Sequence, residues 1–229
     1  MTDTPHPFID ALQPLVARVN TAHTWTRSTE TGEQRCRKTE SLTRDRIAAH
    51  LNGGPARGVC PIRKGEALTS VAVLDFDDHD KTLPWAAMSL AVGRVVDALS
   101  FAWGAPCALW RSGGGRGVHL YLLWDTPQDA YSVRQWLAGV LASVGLKPGT
   151  GGVSAGQVEL FPKQDEVGAS ERDWGSQFIL PGSRASVPLV IEDLSGLLEE
   201  RPGGLAGWSA GDWPVMGDEG AVPVLARPV

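Results

Sequence analysis

The 229-residue chain carries 21 Lys and Arg against 26 Asp and Glu, a formal charge of −5, with 42% hydrophobic and 21% charged residues. These proportions fit a globular protein with one large core or two small ones. They weigh against a passive nucleic-acid-coating protein, because any binding of that kind has to come from local basic clusters or bridging cations. No run approaches the roughly 20 apolar residues of a membrane span, and the opening MTDTPHPFID lacks the basic and apolar parts of a signal peptide, so a cytoplasmic location without membrane partners is expected.

Phe8, Leu12, Leu15, Val16 and Val19 recur at helical spacing, with Pro14 either kinking a first helix or marking its true start. Residues 21–41 turn polar, with Arg27, Arg35, Arg37 and Lys38 in no detectable period, and read as a loop with a small basic patch. Thr43 is placed to cap a short helix that buries Ile47 and Leu51 and stops at Gly53 and Gly54. Residues 68–76, LTSVAVLDF, form an apolar strand ending in acids. Pro84 opens a long helix with Trp85, Met88, Val92, Val95, Val96 and Leu99 on one stripe.

Residues 107–111 and 118–124 read as two strands joined by a glycine-rich turn. Thr126, Pro127 and Asp129 together predict a helix start. That helix buries Val133, Leu137, Val140, Leu141 and Val144 and ends at Gly145. A glycine-rich connection then leads into a strand over 157–161, and another strand is expected over 177–180. The order strand, helix, strand, strand, helix, strand predicts an α/β (α+β) fold with an RRM-like antiparallel sheet packed with helices. Beyond Leu198 the sequence becomes rich in Pro, Gly, Ala and Trp without periodicity, as in a surface-wrapping tail or linker. Cys36, Cys60 and Cys107 are widely spaced and odd in number, which supports buried thiols rather than a disulfide framework or zinc knuckle.

Three stretches carry chemistry. In VAVLDFDDHD, Asp75 and Asp77 lie two apart on a strand and share one face, while Phe76 points to the other. Paired carboxylates repel unless a cation lies between them, and oxygen ligands suit Mg²⁺ or Mn²⁺. The bland alternative is a strand ending in a solvated acidic turn, and Asp78, His79 and Asp80 are read as that turn. In the second stretch, Arg111, Ser112, three glycines, Arg116, Gly117, Val118 and His119 combine anion-accessible backbone with guanidinium donors. The glycine run lacks both the GK[ST] of a P-loop and the context of a dinucleotide fingerprint. By itself it could equally be a flexible hairpin, and His119 an ordinary half-buried histidine. In the third, QVELFPKQ, Glu159 is an acid within an otherwise strand-like run, costly unless paired or metal-bound. Lys163 follows four residues later, within reach of a phosphate or simply at the surface.

Taken in this order, the DxD strand end, SGGGRGVH and the acid-bearing strand before FPKQ resemble the archaeo-eukaryotic primase superfamily. The likeness is strongest to the primase domains of TOTE conflict systems and related phage or plasmid primase-polymerases. The segments AAHLNG and GVCPI also resemble that branch, and the resemblance runs from about residue 50 to 180. It implies a primase-polymerase catalytic domain over 1–198, with an N-terminal part over 1–66 and an RRM-like core over 67–198, followed by a tail or linker over 199–229. It further implies that Asp75, Asp77 and Glu159 hold two Mg²⁺ or Mn²⁺ ions as the catalytic carboxylates. His119 contacts nucleotide phosphate, and Arg111, Ser112, Arg116 and Lys163 line the triphosphate. Many relatives carry serine where Gly117 stands, so that hydroxyl has to come from Ser112 or be absent. A zinc-binding insert found in some relatives has no support in the scattered cysteines.

The implied activity is template-directed nucleotidyl transfer on single-stranded DNA from NTP or dNTP, making or extending primers, with a helicase as a further partner. Tryptophans would stack on bases, although most of the nine are expected in the core. Two other classes compete with it. A metal-dependent nuclease or replication initiator could use similar carboxylates, but the initiator needs paired histidines and only His119 is on its strand. A non-enzymatic single-strand binder has no use for three inward acids.

Overall fold

Strand β4 (Leu68–Phe76) owes its central place to six residues, Val71–Phe76, of which only Asp75 is not fully buried. An apolar run with so little exposure on either face needs a packed layer on both sides, and the rest of the chain supplies them. The computed structural model describes residues 7–28, 35–170 and 172–227.

A 3-10 turn over Pro7–Leu12 leads into α1 (Gln13–Val16), with Pro14 in its first turn; the proline therefore marks the start of the helix rather than a kink. Next come β1 (Asn20–Ser28), β2 (Arg35–Glu40), α2 (Arg44–Leu51) and β3 (Ala56–Cys60). The expected loop over 21–41 is thus largely a pair of antiparallel strands. Its polar residues hid the pairing, because a strand in a thin sheet can be polar on one or both faces and leave no alternation to read. The side chains of Arg27, Arg35, Arg37, Lys38 and Cys36 lie outside the described residues. Thr43 caps α2 as expected, its hydroxyl accepting from Arg46 N at 3.3 Å.

The remaining elements are α3 (Trp85–Trp103), β5 (Ala108–Arg111), β6 (Val118–Asp129), α4 (Ala130–Ser143), β7 (Lys147–Pro148), β8 (Gln157–Phe161), β9 (Phe178–Ile179), β10 (Pro188–Ile191), β11 (Leu198–Glu200) and β12 (Val215–Met216). Two sheets result. The smaller runs β2-β1-β3-β9; the larger runs β11-β10-β5-β6-β4-β8-β7, with β12 pairing with β6. Within the larger sheet, β4-α3-β5-β6-α4-β8 has the spatial order β5-β6-β4-β8, the RRM-like arrangement the element order predicted.

One boundary differs from expectation. Helix α4 starts after Asp129, whose carboxylate accepts from Ser132 N at 2.8 Å, and not at Thr126. Residues 126–128 stay in β6 because Gln128 pairs with Thr69, and the Thr126 hydroxyl donates to Asp218 instead of capping.

Side-chain alternation divides the core into two layers. Leu74, Phe76, Leu120, Leu122, Trp124, Val158 and Leu160 pack against α3 and α4. Val71, Val73, Trp110, Tyr121, Leu123 and Phe161 face the N-terminal turn, α2 and the small sheet. The segment read as tail or linker packs into this second layer. Trp213 is 4% exposed, stacks on Trp110 at 5.8 Å and donates its indole N–H to Ala11 O at 2.7 Å. Cys60 is buried and Cys107 largely so, and both are unbridged. Burial pushes their thiols up to about 11 and 12.

Candidate active site

Glu159, Asp75, His119 and Trp110 lie in one row across the sheet: Asp75 opposes Glu159 on β8 and His119 on β6, and His119 opposes Trp110 on β5. Directly opposed residues share a face with Cβ atoms about 5 Å apart, so the strand register alone brings two acids and a histidine together. Asp77 follows two residues after Asp75, just past the end of β4, on the same side. Asp75, Asp77, His119 and Glu159 line a cleft of ≈ 660 Å³ between the two sheets, with Trp110 buried behind them.

Asp77 is held from behind by the glycine-rich connection. Its carbonyl accepts from Val153 N at 2.9 Å, and His79 bonds through Nε2 to Thr150 O at 2.7 Å. Gly152, at φ +80°, is required here because a Cβ would stand 2.8 Å from Asp77 O. Burial first, and then the neighbouring Asp75 charge, raise Asp77 to about 6.

Asp75 Oδ1 is buried without a well-formed hydrogen bond, the nearest partner being His119 Nε2 at 3.3 Å. His119 is 7% exposed, and its Nδ1 lies 3.1 Å from the Tyr121 hydroxyl. Burial alone would depress this imidazole, but the Asp75 carboxylate, followed by Asp77 and Glu159, lifts it above its ordinary value. An imidazolium donating from Nε2 toward Asp75 and from Nδ1 to Tyr121 satisfies both nitrogens.

These observations bear on whether metal ions fit. A buried carboxylate oxygen approached only by His119 at 3.3 Å and a second carboxylate driven toward protonation describe a site short of positive charge, with oxygen ligands that suit Mg²⁺ or Mn²⁺. Among the described residues no three acidic, histidine or cysteine side chains already converge on one point. Glu159 is drawn aside to Lys163, Nζ to Oε1 2.7 Å, and that lysine also lies 4.8 Å over the Phe161 ring. The donor set fits, with Glu159 needing to leave Lys163.

The other residues singled out from sequence separate into two groups. Ser112 and Arg116 reach the cleft. The Ser112 hydroxyl accepts from Gly117 N at 3.1 Å, closing the glycine-rich turn over 112–117. A Cβ on Gly117 would stand 2.6 Å from Phe76 O and 3.1 Å from Ser112 Oγ, so the Ser112 hydroxyl adjoins the position a residue-117 side chain would take. Arg116 forks onto Asp78 Oδ2 at 2.8 and 3.1 Å and donates to Lys81 O. Arg111 does not join them. Alternation turns it to the opposite face of β5, where its guanidinium lies 4.9 Å over Trp85 and 3.6 Å from Glu200.

Asp78 has a larger part than a solvated turn residue. Its side chain is 1% exposed, and it accepts from Thr82 N and Leu83 N as well as Arg116. Burial pushes its carboxyl up, but the Arg116 hydrogen bond and these two N–H groups outweigh it and hold the group below its usual value. In the sequence it is only an acid opening a turn, a position from which a carboxylate can accept from backbone N–H groups further along. Lys81 and Arg184, both at positive φ, also line the cleft and carried no such signal.

A fold of two packed sheets with acids meeting on adjacent central strands defines a class of α/β domain with one shared cleft. Over residues 13–185 the sequence matches the family described as TOTE conflict system, Archaeo-Eukaryotic Primase domain, and the chain belongs to that family. It is also similar to a solved structure, the polymerase domain from Mycobacterium tuberculosis Ligase D in complex with DNA, with a TM-score of 0.45 and 17% identity over 77% of this chain and 74% of that one. Comparison with curated proteins gives no match. Among the described residues no helix is long and apolar enough to cross a membrane.

Proposed function

We propose that the chain is a DNA primase-polymerase that transfers nucleotides from NTP or dNTP onto a growing strand along a single-stranded DNA template. The observation that carries this reading is the opposition of Asp75 and Glu159 across β4 and β8, with Asp77 beside them in the cleft. Family membership supports it.

In this reading Asp75, Asp77 and Glu159 hold divalent metal ions, Mg²⁺ or Mn²⁺. The ions would lower the pKa of the attacking hydroxyl and neutralise charge developing on the phosphates. The chain's own residues do the positioning. His119 donates toward Asp75 and keeps that carboxylate aimed at the cleft, with Tyr121 fixing the ring from the other side. Lys163, released from Glu159, becomes a mobile cation for phosphate oxygens, and the 112–117 turn offers backbone N–H groups and the Ser112 hydroxyl to the same anion. Arg116 serves as an anchor: tied to Asp78, it fixes the turn against the acidic strand end. Most of the rate enhancement then comes from orientation and preorganised charge.

The test supplies a single-stranded template, labelled nucleotides and Mg²⁺ or Mn²⁺, with and without a primer. Extension supports the reading, and products without a primer make the protein a primase. Shortening of the strand would make it a nuclease, and retention without chemistry a binding protein. A cytoplasmic setting and a helicase partner accord with this role.

A further inference from the structure

The wall of the cleft facing the carboxylates belongs to the small sheet, and its chemistry is different. Trp25 on β1 opposes Gly58 on β3, and Gly58 in turn opposes Ile179 on β9. Three positions in one row across a sheet share a face. Trp25 and Ile179 both line the cleft, as does Ala56, two residues from Gly58 on β3.

Gly58 decides how the indole lies. A methyl group there would stand 2.9 Å from both Cε2 and Nε1 of Trp25, so the ring passes over the glycine backbone in the space a side chain would fill. The indole therefore occupies the space above Gly58 and forms part of the cleft lining. Gln177 Oε1 accepts from Trp25 N at 3.2 Å and ties β1 to the segment leading into β9. Behind this row Phe178 meets Tyr121 and Phe161 edge to face, at 5.9 and 6.1 Å, which backs the wall with rigid rings.

Five of the other tryptophans are engaged away from the cleft. Trp110, Trp124, Trp208 and Trp213 are buried, and Trp85 is covered by Arg111 and bonded to Leu198 O. Among the described residues Trp25 is the tryptophan that lines the cleft.

We propose that Trp25, laid over Gly58 with Ile179 beside it, is the platform on which a nucleobase stacks while its phosphates lie toward the carboxylate wall. This rests on the primase-polymerase reading of the cleft and adds how the base is held. The platform offers π surface and no base-edge code, so it accepts any base. The base belongs either to the template strand or to the incoming nucleotide.

The experiment compares wild type with Trp25→Leu, which keeps apolar bulk without an aromatic face, Trp25→Phe, which restores a smaller one, and Gly58→Val, which displaces the indole. Circular dichroism melts establish that each is folded. One arm measures the affinity for fluorescein-labelled (dT)12; the other measures KM and kcat for dATP on a primed poly(dT) template with Mn²⁺. Trp25→Leu is expected to weaken one arm about 5- to 150-fold, the range of base–aromatic stacking, with kcat changed less than about twofold. Trp25→Phe recovers most of the loss, and Gly58→Val fails in the same arm. A loss in (dT)12 affinity assigns the platform to the template base, and a raised KM assigns it to the incoming nucleotide. A folded Trp25→Leu protein that matches wild type in both arms overturns the platform while leaving the primase-polymerase reading intact. Wild-type protein that neither binds (dT)12 nor incorporates dATP overturns both.

Discussion

Asp75 and Glu159 stand directly opposite one another in the antiparallel register of β4 and β8. They are 84 positions apart in the sequence (159 minus 75), so their meeting depends wholly on how β8 docks. A one-residue slip would turn Glu159 into the helical layer and break the site. The register is guarded by Val158 and Leu160, buried on the other face in the core layer that α3 and α4 cover. Packing on one face of the sheet thus sets the chemistry on the other.

Asp77 makes the site pH-dependent in a defined direction. Its folded pKa, about 6, lies above the ordinary 3.8. Between these values the folded state binds more protons than the unfolded, so metal-free stability from this group falls as pH rises through that window. In chelator, Asp77→Asn should melt above wild type at pH 7 to 8 and lose that advantage below about pH 4. Thermal melts across pH check this. The gain should be small, because the Asp77 side chain is 40% exposed and partly screened.

Gly117 is required by contact, not by backbone freedom. A Cβ there would meet Phe76 O at 2.6 Å and Asp77 Oδ1 at 3.2 Å. Gly117→Ala should cost about 1–3 kcal/mol in urea unfolding, as overpacking does, and should lower nucleotide incorporation more than a change of that size alone explains.

Asp78 ties Arg116 and two turn N–H groups together. Asp78→Ala should lower Tm by several degrees and loosen the 112–117 turn. Because its folded pKa is depressed, the stability Asp78 supplies is present above about pH 4 and is lost as pH falls below that. The wild-type and variant melting curves should therefore converge in acid.

Trp213 tests the role of the C-terminal segment. Buried between Trp110, Tyr121 and Trp208, it should cost about 3–5 kcal/mol when changed to alanine. Denaturant titration measures this directly, and a surface-lying tail would show almost no loss.

The legible parts of the sequence were those with one strong physical cause. β4, α3, the β5–β6 hairpin and β8 each show a clear period or turn signal, and Asp75 and Asp77 share a face by alternation alone. Glu159 could be flagged as an acid in a strand, but its partner strand could not be read, since register is set by long-range packing. Arg111 was expected at the phosphates because it adjoins the glycine turn; the same alternation that pairs Asp75 with Asp77 sends it to the far face. The strands over 20–40 and the burial of Trp208 and Trp213 were hidden because neither polar pairing nor aperiodic packing leaves a local pattern. Trp25 gained its place only when β1, β3 and β9 were seen to form one sheet.

Asp75, Asp77 and Glu159 are proposed to support metal-dependent nucleotide transfer. The most direct measurement is incorporation of labelled nucleotide on a primed single-stranded template with Mn²⁺, comparing wild type with a folded Asp75→Asn/Asp77→Asn protein. Wild-type extension that falls to background in the double variant, and in wild type on adding chelator, is the expected result. Undiminished extension by the folded double variant would show that these carboxylates do not carry the transfer.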